Sequence, residues 1–227
     1  MRINLFVSII VGILMLSACS SQSQTASESP ITRTSAELKL CSTCLQLCST
    51  CHYTGGTSAG PDFPKIAGQY DVYLVKAVEN FKKGNRESET MQRIASLHTE
   101  KEMKMLARYF ASQQADETPS ISAPDEALWE WGKILYEKDR VYGIACADCH
   151  GYDGMGYAYK TPRAKHVRAV PRLAGQSHVY LASAVQRYVD GKFDYGMCTM
   201  RKAGKTLTKD DVNALVQYLS SLTPPAQ

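Results

Sequence analysis

Apolar residues return every three or four positions along most of the chain, the pattern of helices that bury one face. Tyr70, Tyr73, Leu74, Ala77, Val78 and Phe81 form one such stripe and predict a helix over Gln69 to Lys83, closed by Gly84. A second is predicted over Thr99 to Ala111, with Thr99 as N-cap, Glu102 three residues on, and Met103, Leu106, Ala107 and Phe110 on one face. Thr208 to Leu222 reads the same way, with Asp210 and Asp211 in its first turn and Val212, Leu215, Val216 and Leu219 inward. Asp125 to Glu137, just after Pro124, offers Ala127, Leu128, Trp131 and Leu135 for burial. No stretch alternates convincingly enough to be a strand, so an all-α fold is expected.

The pattern differs at the N-terminus. An apolar run from Leu5 to Leu16 follows Arg2, shorter than the roughly 20 residues that span a bilayer. It reads as a secretory signal over residues 1–18. Its end, Leu16-Ser17-Ala18-Cys19, resembles the lipobox of bacterial lipoprotein precursors, which implies lipid on Cys19 as the mature N-terminus. Residues 19–35 have almost no large apolar groups and are expected to be a flexible tether. Ser20 and Ser21 resemble the outer-membrane-sorted lipoproteins, so the outer membrane is favoured slightly over the inner.

Beyond the tether the chain repeats itself. Pro64-Lys65-Ile66-Ala67-Gly68-Gln69, then Val72-Tyr73-Leu74 and Ala77-Val78, recurs at a constant offset as Pro171-Arg172-Leu173-Ala174-Gly175-Gln176, Val179-Tyr180-Leu181 and Ala184-Val185. Each copy lies downstream of a Cys-x-x-Cys-His and upstream of a Met and a helix. The stretch SQQADETPSISAP from Ser112 marks a linker. Two domains are therefore expected, over 36–117 and 118–227.

Composition adds exclusions. The 227 residues are 44% hydrophobic and 21% charged with a formal charge of +4, too little and too evenly spread for a nucleic-acid binder. Eight cysteines are the unusual count, and their clustering suggests cofactor chemistry over a dispersed disulfide framework.

Cys48-Ser49-Thr50-Cys51-His52 and Cys146-Ala147-Asp148-Cys149-His150 have the spacing in which two thiols add to the vinyl groups of haem while the imidazole meets the iron. A redox dithiol would need a βαβ setting and a zinc site a tetrahedral ligand set. Export, a helical background and duplication favour two covalently bound haem c groups, with His52 and His150 as proximal iron ligands. A thioether is the usual sixth ligand for electron transfer. Met91 is the candidate in the first domain, in the irregular-looking stretch NRESETMQRIASL, with Met103 and Met105 assigned to helix packing. In the second, Met200 is preferred over Met197, and Met155 is expected to fill space near the haem edge. His98, His166 and His178 have no paired ligand pattern and are assigned to surface or packing. Cys41-Ser42-Thr43-Cys44 echoes the haem motif but runs into Leu45, so no third haem is expected. A Cys41–Cys44 disulfide suits an oxidising compartment and would be tight on a helix, and it leaves Cys198 over. Cys198 beside the methionine loop raises the alternative of a thiolate on the second iron.

The order signal, Cys-x-x-Cys-His, Pro-x-(Leu or Ile)-Ala-Gly-Gln, Tyr-Leu, Met, taken twice over residues 40 to 223, resembles the dihaem cytochrome c4 family of bacterial periplasmic electron carriers. The resemblance implies two class I cytochrome c domains about a pseudo-twofold axis with the haems close at their interface. It implies too that Pro64 and Pro171 accept a hydrogen bond from the proximal histidines. Tyr53 departs from the family, which usually has Gly there, as at Gly151. The longer second loop carries Lys160, Arg163, Lys165, His166, Arg168 and Arg172, either a docking patch for an acidic partner or a solvated loop.

These readings converge on a periplasmic, membrane-anchored electron carrier with no substrate chemistry of its own. Its expected partners are a quinol-oxidising complex, small copper or haem carriers and a terminal oxidase. The alternative is a cytochrome subunit or enzyme of sulfide or thiosulfate oxidation with an unusual second ligand.

Overall fold

The computed structural model describes residues 41–138, 143–159, 168–192 and 198–224. The signal, Cys19 and the tether lie outside these residues, as do Lys160, Arg163, Lys165, His166 and Met197. The described residues of the first half form α1 (Ser42–His52), α2 (Asp71–Lys82), α3 (Glu89–Ser96) and α4 (Glu100–Ala111). Those of the second form α5 (Glu126–Glu137), α6 (Cys146–His150), β1 (Tyr157–Tyr159), β2 (Arg168–Val170), α7 (His178–Val189), α8 (Cys198–Gly204) and α9 (Lys209–Ser221).

The sequence signals that start these helices act as expected. Thr99 and Thr208 each accept the backbone N–H three residues on, and the carboxylates of Glu102 and Asp211 reach back to the cap N–H. These reciprocal bonds satisfy donors that a helix leaves open at its N-terminus. Asp125 caps α5 through Leu128 N–H.

In the first half, Leu74 of α2 packs with Ala107 and Phe110 of α4, and Leu45 and Cys48 of α1 close over them. In the second, α5 crosses α9, burying Leu135 and Tyr136 against Leu215, Tyr218 and Leu219. The crossing is close because Gly132 has no side chain: a Cβ there would run into the backbone carbonyl of Ala214. Trp129 and Tyr136 flank Tyr218 at ring separations of 5.4 and 5.5 Å, filling the space around that contact.

The repeated motif joins the halves. Gln176 accepts the Lys65 N–H at 2.7 Å and donates to the Lys65 carbonyl at 2.8 Å. Gln69 does the same to Arg172, at 3.1 Å in both directions. Each glutamine so pairs with the residue after the other copy's proline, a reciprocal contact of the kind a pseudo-twofold axis generates. Lys65 also ion-pairs with Asp116 at 2.8 Å, and Tyr70 donates to the Gly156 carbonyl across the interface.

Three features differ from the sequence reading. Tyr157–Tyr159 and Arg168–Val170 form a two-stranded antiparallel ribbon with Tyr157 opposite Val170, where no strand was expected. These strands are too short to display alternation, and they frame the longer loop of the second half. The stretch around Met91 is helical, capped by the Ser88 hydroxyl, which accepts the Met91 N–H. Arg172 is not part of a surface patch: it is 4% exposed, and its guanidinium donates to the Ala67 carbonyl at 2.7 Å.

Candidate functional site

Helix geometry sets the first element of each site. Two cysteines three residues apart share one face of a helix, and the histidine closes its last turn. Both α1 and α6 end this way, at His52 and His150. The chain must then leave sharply. Gly151 does so at φ 78° and ψ 151°, conformations open to glycine, whereas Tyr53 takes nearly the same angles, φ 58° and ψ 163°. For a residue with a side chain such a conformation costs about 1–3 kcal/mol. Ser58, at φ 87°, is a second residue of the first loop in the left-handed half of the map.

Beyond the turn a glycine draws each loop onto the repeated motif. Gly56 accepts the N–H groups of Ile66 and Ala67, and Gly154 accepts those of Leu173 and Ala174. The prolines are so carried against the histidines. His52 Nδ1 lies 2.9 Å from the Pro64 carbonyl, and His150 Nδ1 lies 3.0 Å from the Pro171 carbonyl. A carbonyl only accepts, so Nδ1 holds the proton and the Nε2 lone pair is left for a metal. Burial pushes both imidazoles below the usual histidine range, against a smaller opposing effect of the proline carbonyls. Both rings are therefore neutral at pH 7, as a ligand must be.

Cys48 is pushed up to about 11 by burial. This is opposite to the lowered value of a nucleophilic thiolate. Cys48, Cys51 and Cys149 form no disulfide.

The two sites fall in two matching segments. A cytochrome c family model matches residues 42–118 and, a second time, 130–223. The chain belongs to the cytochrome c family. Cytochrome c4 of Azotobacter vinelandii is 32% identical over 184 residues, covering 75% of this chain and 82% of that protein. The crystal structure of reduced recombinant cytochrome c4 from Pseudomonas stutzeri superposes with a TM-score of 0.66 at 26% identity, over 84% of this chain and 97% of that one. A thiosulfate dehydrogenase electron acceptor of Stutzerimonas stutzeri (strain A1501) is 26% identical over 184 residues, covering 80% of this chain and 78% of that protein. The present chain is thus a cytochrome c4-like dihaem electron carrier with two class I domains, and it holds its two haem c groups covalently.

The residues of this cytochrome fit that cofactor. Each half offers two cysteines and a buried imidazole with a fixed tautomer, and Arg172, between the halves, has a buried Nη1 with no hydrogen-bond partner. An acidic group such as a haem propionate would satisfy it.

Met91 stands in the first turn of α3 and Met200 in the first turn of α8, both half-buried. Met103 and Met105 are buried in the first core, as helix packing requires, and Met155 is half-buried in the second loop. His98 is buried with Nδ1 2.8 Å from the Ile94 carbonyl, and His178 bonds to the Ser120 hydroxyl. Cys198 opens α8, and its side chain lies outside what is described. Cys41 and Cys44 are joined as a disulfide. Cys41 precedes α1 as its N-cap, at φ −145° and ψ 59°, so only Cys44 of the pair lies within the helix. Among the described residues no helix is long and apolar enough to cross a membrane.

Sequence reasoning missed the role of Gln69 and Gln176. Their signal was present, a glutamine kept at the same register of both copies.

Proposed function

We propose that this cytochrome is exported, held at a bacterial membrane by lipid on Cys19, and passes single electrons between redox proteins of a respiratory chain. Its partners are a quinol-oxidising complex or small copper or haem carriers on one side and a terminal oxidase on the other. Cys48 and Cys51 carry one haem and Cys146 and Cys149 the other. His52 and His150 are the proximal ligands, and Met91 and Met200 complete the irons. Bound haem supplies a one-electron change at iron.

The protein's own residues do the rest. Pro64 and Pro171 hold the imidazole proton at Nδ1, the two cores exclude water, and the paired glutamines hold the domains, 36–117 and 118–227, against each other. Held by His52 and Met91 in one domain and by His150 and Met200 in the other, the irons would offer no place for a substrate. The observation that carries this reading is the same Cys-x-x-Cys-His helix with the same His-to-Pro hydrogen bond built twice in one chain. The similarity to a thiosulfate dehydrogenase electron acceptor favours one further donor, an enzyme of thiosulfate oxidation, with this chain still the carrier.

Carbon monoxide tests the ligand set, since it binds reduced haem only at an open position. The reduced protein is expected to bind none, and Met91→Ala and Met200→Ala are each expected to open half of the haem. If Met200→Ala changes nothing while Cys198→Ser opens the second haem, the thiolate reading replaces Met200.

A further inference from the structure

Cys41, Cys44, Cys48 and Cys51 follow one another at steps of three and four residues, so α1 and its cap carry four sulfurs along one stripe. The second pair belongs to the haem motif. The first pair has no histidine after it and is left without a role by the electron-transfer reading.

The surroundings of this first pair are specific. Cys41 is the N-cap of α1 and Cys44 lies in its first turn, their Cα atoms 5.2 Å apart and their sulfurs joined. Both are half-buried and so within reach of solvent. Oε1 of Glu102, from α4, lies 3.9 Å from each sulfur. Its other oxygen accepts the N–H and hydroxyl of Thr99, each at 2.8 Å, which fixes the carboxylate in place.

Two ordinary roles do not suit this arrangement. As a crosslink it bridges one turn of one helix and ties α1 to no other element, so it adds little to the fold. As a metal site the two sulfurs and Glu102 make a three-donor set, but sulfurs bonded to each other offer no thiolate. What remains is the form of a thiol exchange centre. It has a Cys-x-x-Cys at the opening of a helix, and beside it the Glu102 carboxylate is an acceptor for the S–H groups of the reduced pair, which favours the dithiol over the disulfide.

We propose that Cys41–Cys44 is a redox-active disulfide that takes two electrons from an exported dithiol. A thiolate of the incoming dithiol attacks one of the two sulfurs, a mixed disulfide forms, and the other sulfur leaves as thiolate. The second thiolate of the partner then attacks the mixed disulfide. The partner leaves as a disulfide, and Cys41 and Cys44 are left as thiols, having gained through solvent the two protons the partner lost.

Glutathione serves as the probe. The exported holoprotein is equilibrated anaerobically with graded ratios of reduced to oxidised glutathione, quenched with a maleimide and peptide-mapped. Cys41 and Cys44 are expected to gain their two labels together and reversibly, at ratios that leave structural disulfides intact. In Cys44→Ser, Cys41 is expected to trap glutathione as a mixed disulfide. The proposal is overturned if the pair takes up label only after denaturation, or if Cys41 in Cys44→Ser stays free of glutathione while the folded protein keeps its haem spectrum.

Discussion

Replacing Gly132 by alanine is expected to destabilise the second domain by about 3 kcal/mol, near the top of the usual overpacking range. On an open helix the same change would stabilise by about 1 kcal/mol, because glycine is a poor helix former. The sign reverses here because the added methyl would meet the Ala214 carbonyl and the Tyr218 Cβ. A backbone carbonyl inside α9 cannot rotate away as a flexible side chain would, so α5 and α9 must separate. That opens the packing of Leu135 and Tyr136 on Leu215 and Leu219. At about 2–4 °C per kcal/mol for a chain of this size, the melting temperature falls by roughly 10 °C. Circular dichroism melts of the holoprotein check this, with Gly60→Ala as control, since a Cβ at Gly60 meets nothing. Equal melts for the two variants would mean that the helices do not cross at Gly132.

Gln176→Ala is expected to uncouple the two domains. The side chain satisfies both backbone groups of Lys65 and also accepts the Ser177 N–H at 2.9 Å. All of this is buried, and a buried backbone group left without a partner costs about 1–3 kcal/mol. Two or more such groups put the loss at about 3 kcal/mol, taken from the contact between domains and not from either core. Calorimetry is therefore expected to show one cooperative transition in the parent and two separated ones in the variant. Gln69→Ala should act alike through Arg172, which it holds by the reciprocal pair of bonds. A single unshifted transition in both variants would show that the glutamines do not hold the domains together.

What could be read from the chain follows from what each residue does locally. Thr99 with Glu102 and Thr208 with Asp211 are legible because a capping box is complete within four residues. The haem motifs are legible because covalent chemistry fixes their spacing. Arg172 was read as surface because its burial depends on the other domain, which no local pattern encodes; Lys65, its counterpart in the first copy, is buried at the same contact. α3 was read as irregular because it is only eight residues long, too short for the spacing of Met91, Ile94 and Ala95 to stand out among polar neighbours, although Ser88 supplies the cap. Gly132 was invisible for the opposite reason, since inside a helical pattern glycine reads only as a weakness.

The first Cys-x-x-Cys-His loop shows what strain can be borne beside a fixed histidine. Tyr53 and Ser58 hold angles suited to glycine, yet His52 keeps its bond to Pro64 as His150 does to Pro171. The loop is held by Gly56, whose carbonyl anchors Ile66 and Ala67, so the proline stays in register despite the departure at Tyr53.

Peptide mass mapping of the exported protein reads the haem sites most directly. Two haem-bearing peptides are predicted, one containing Cys48 and Cys51 and the other Cys146 and Cys149, each resistant to thiol alkylation. Either peptide at its bare mass, with alkylatable cysteines, would contradict a carrier built on two covalent haems.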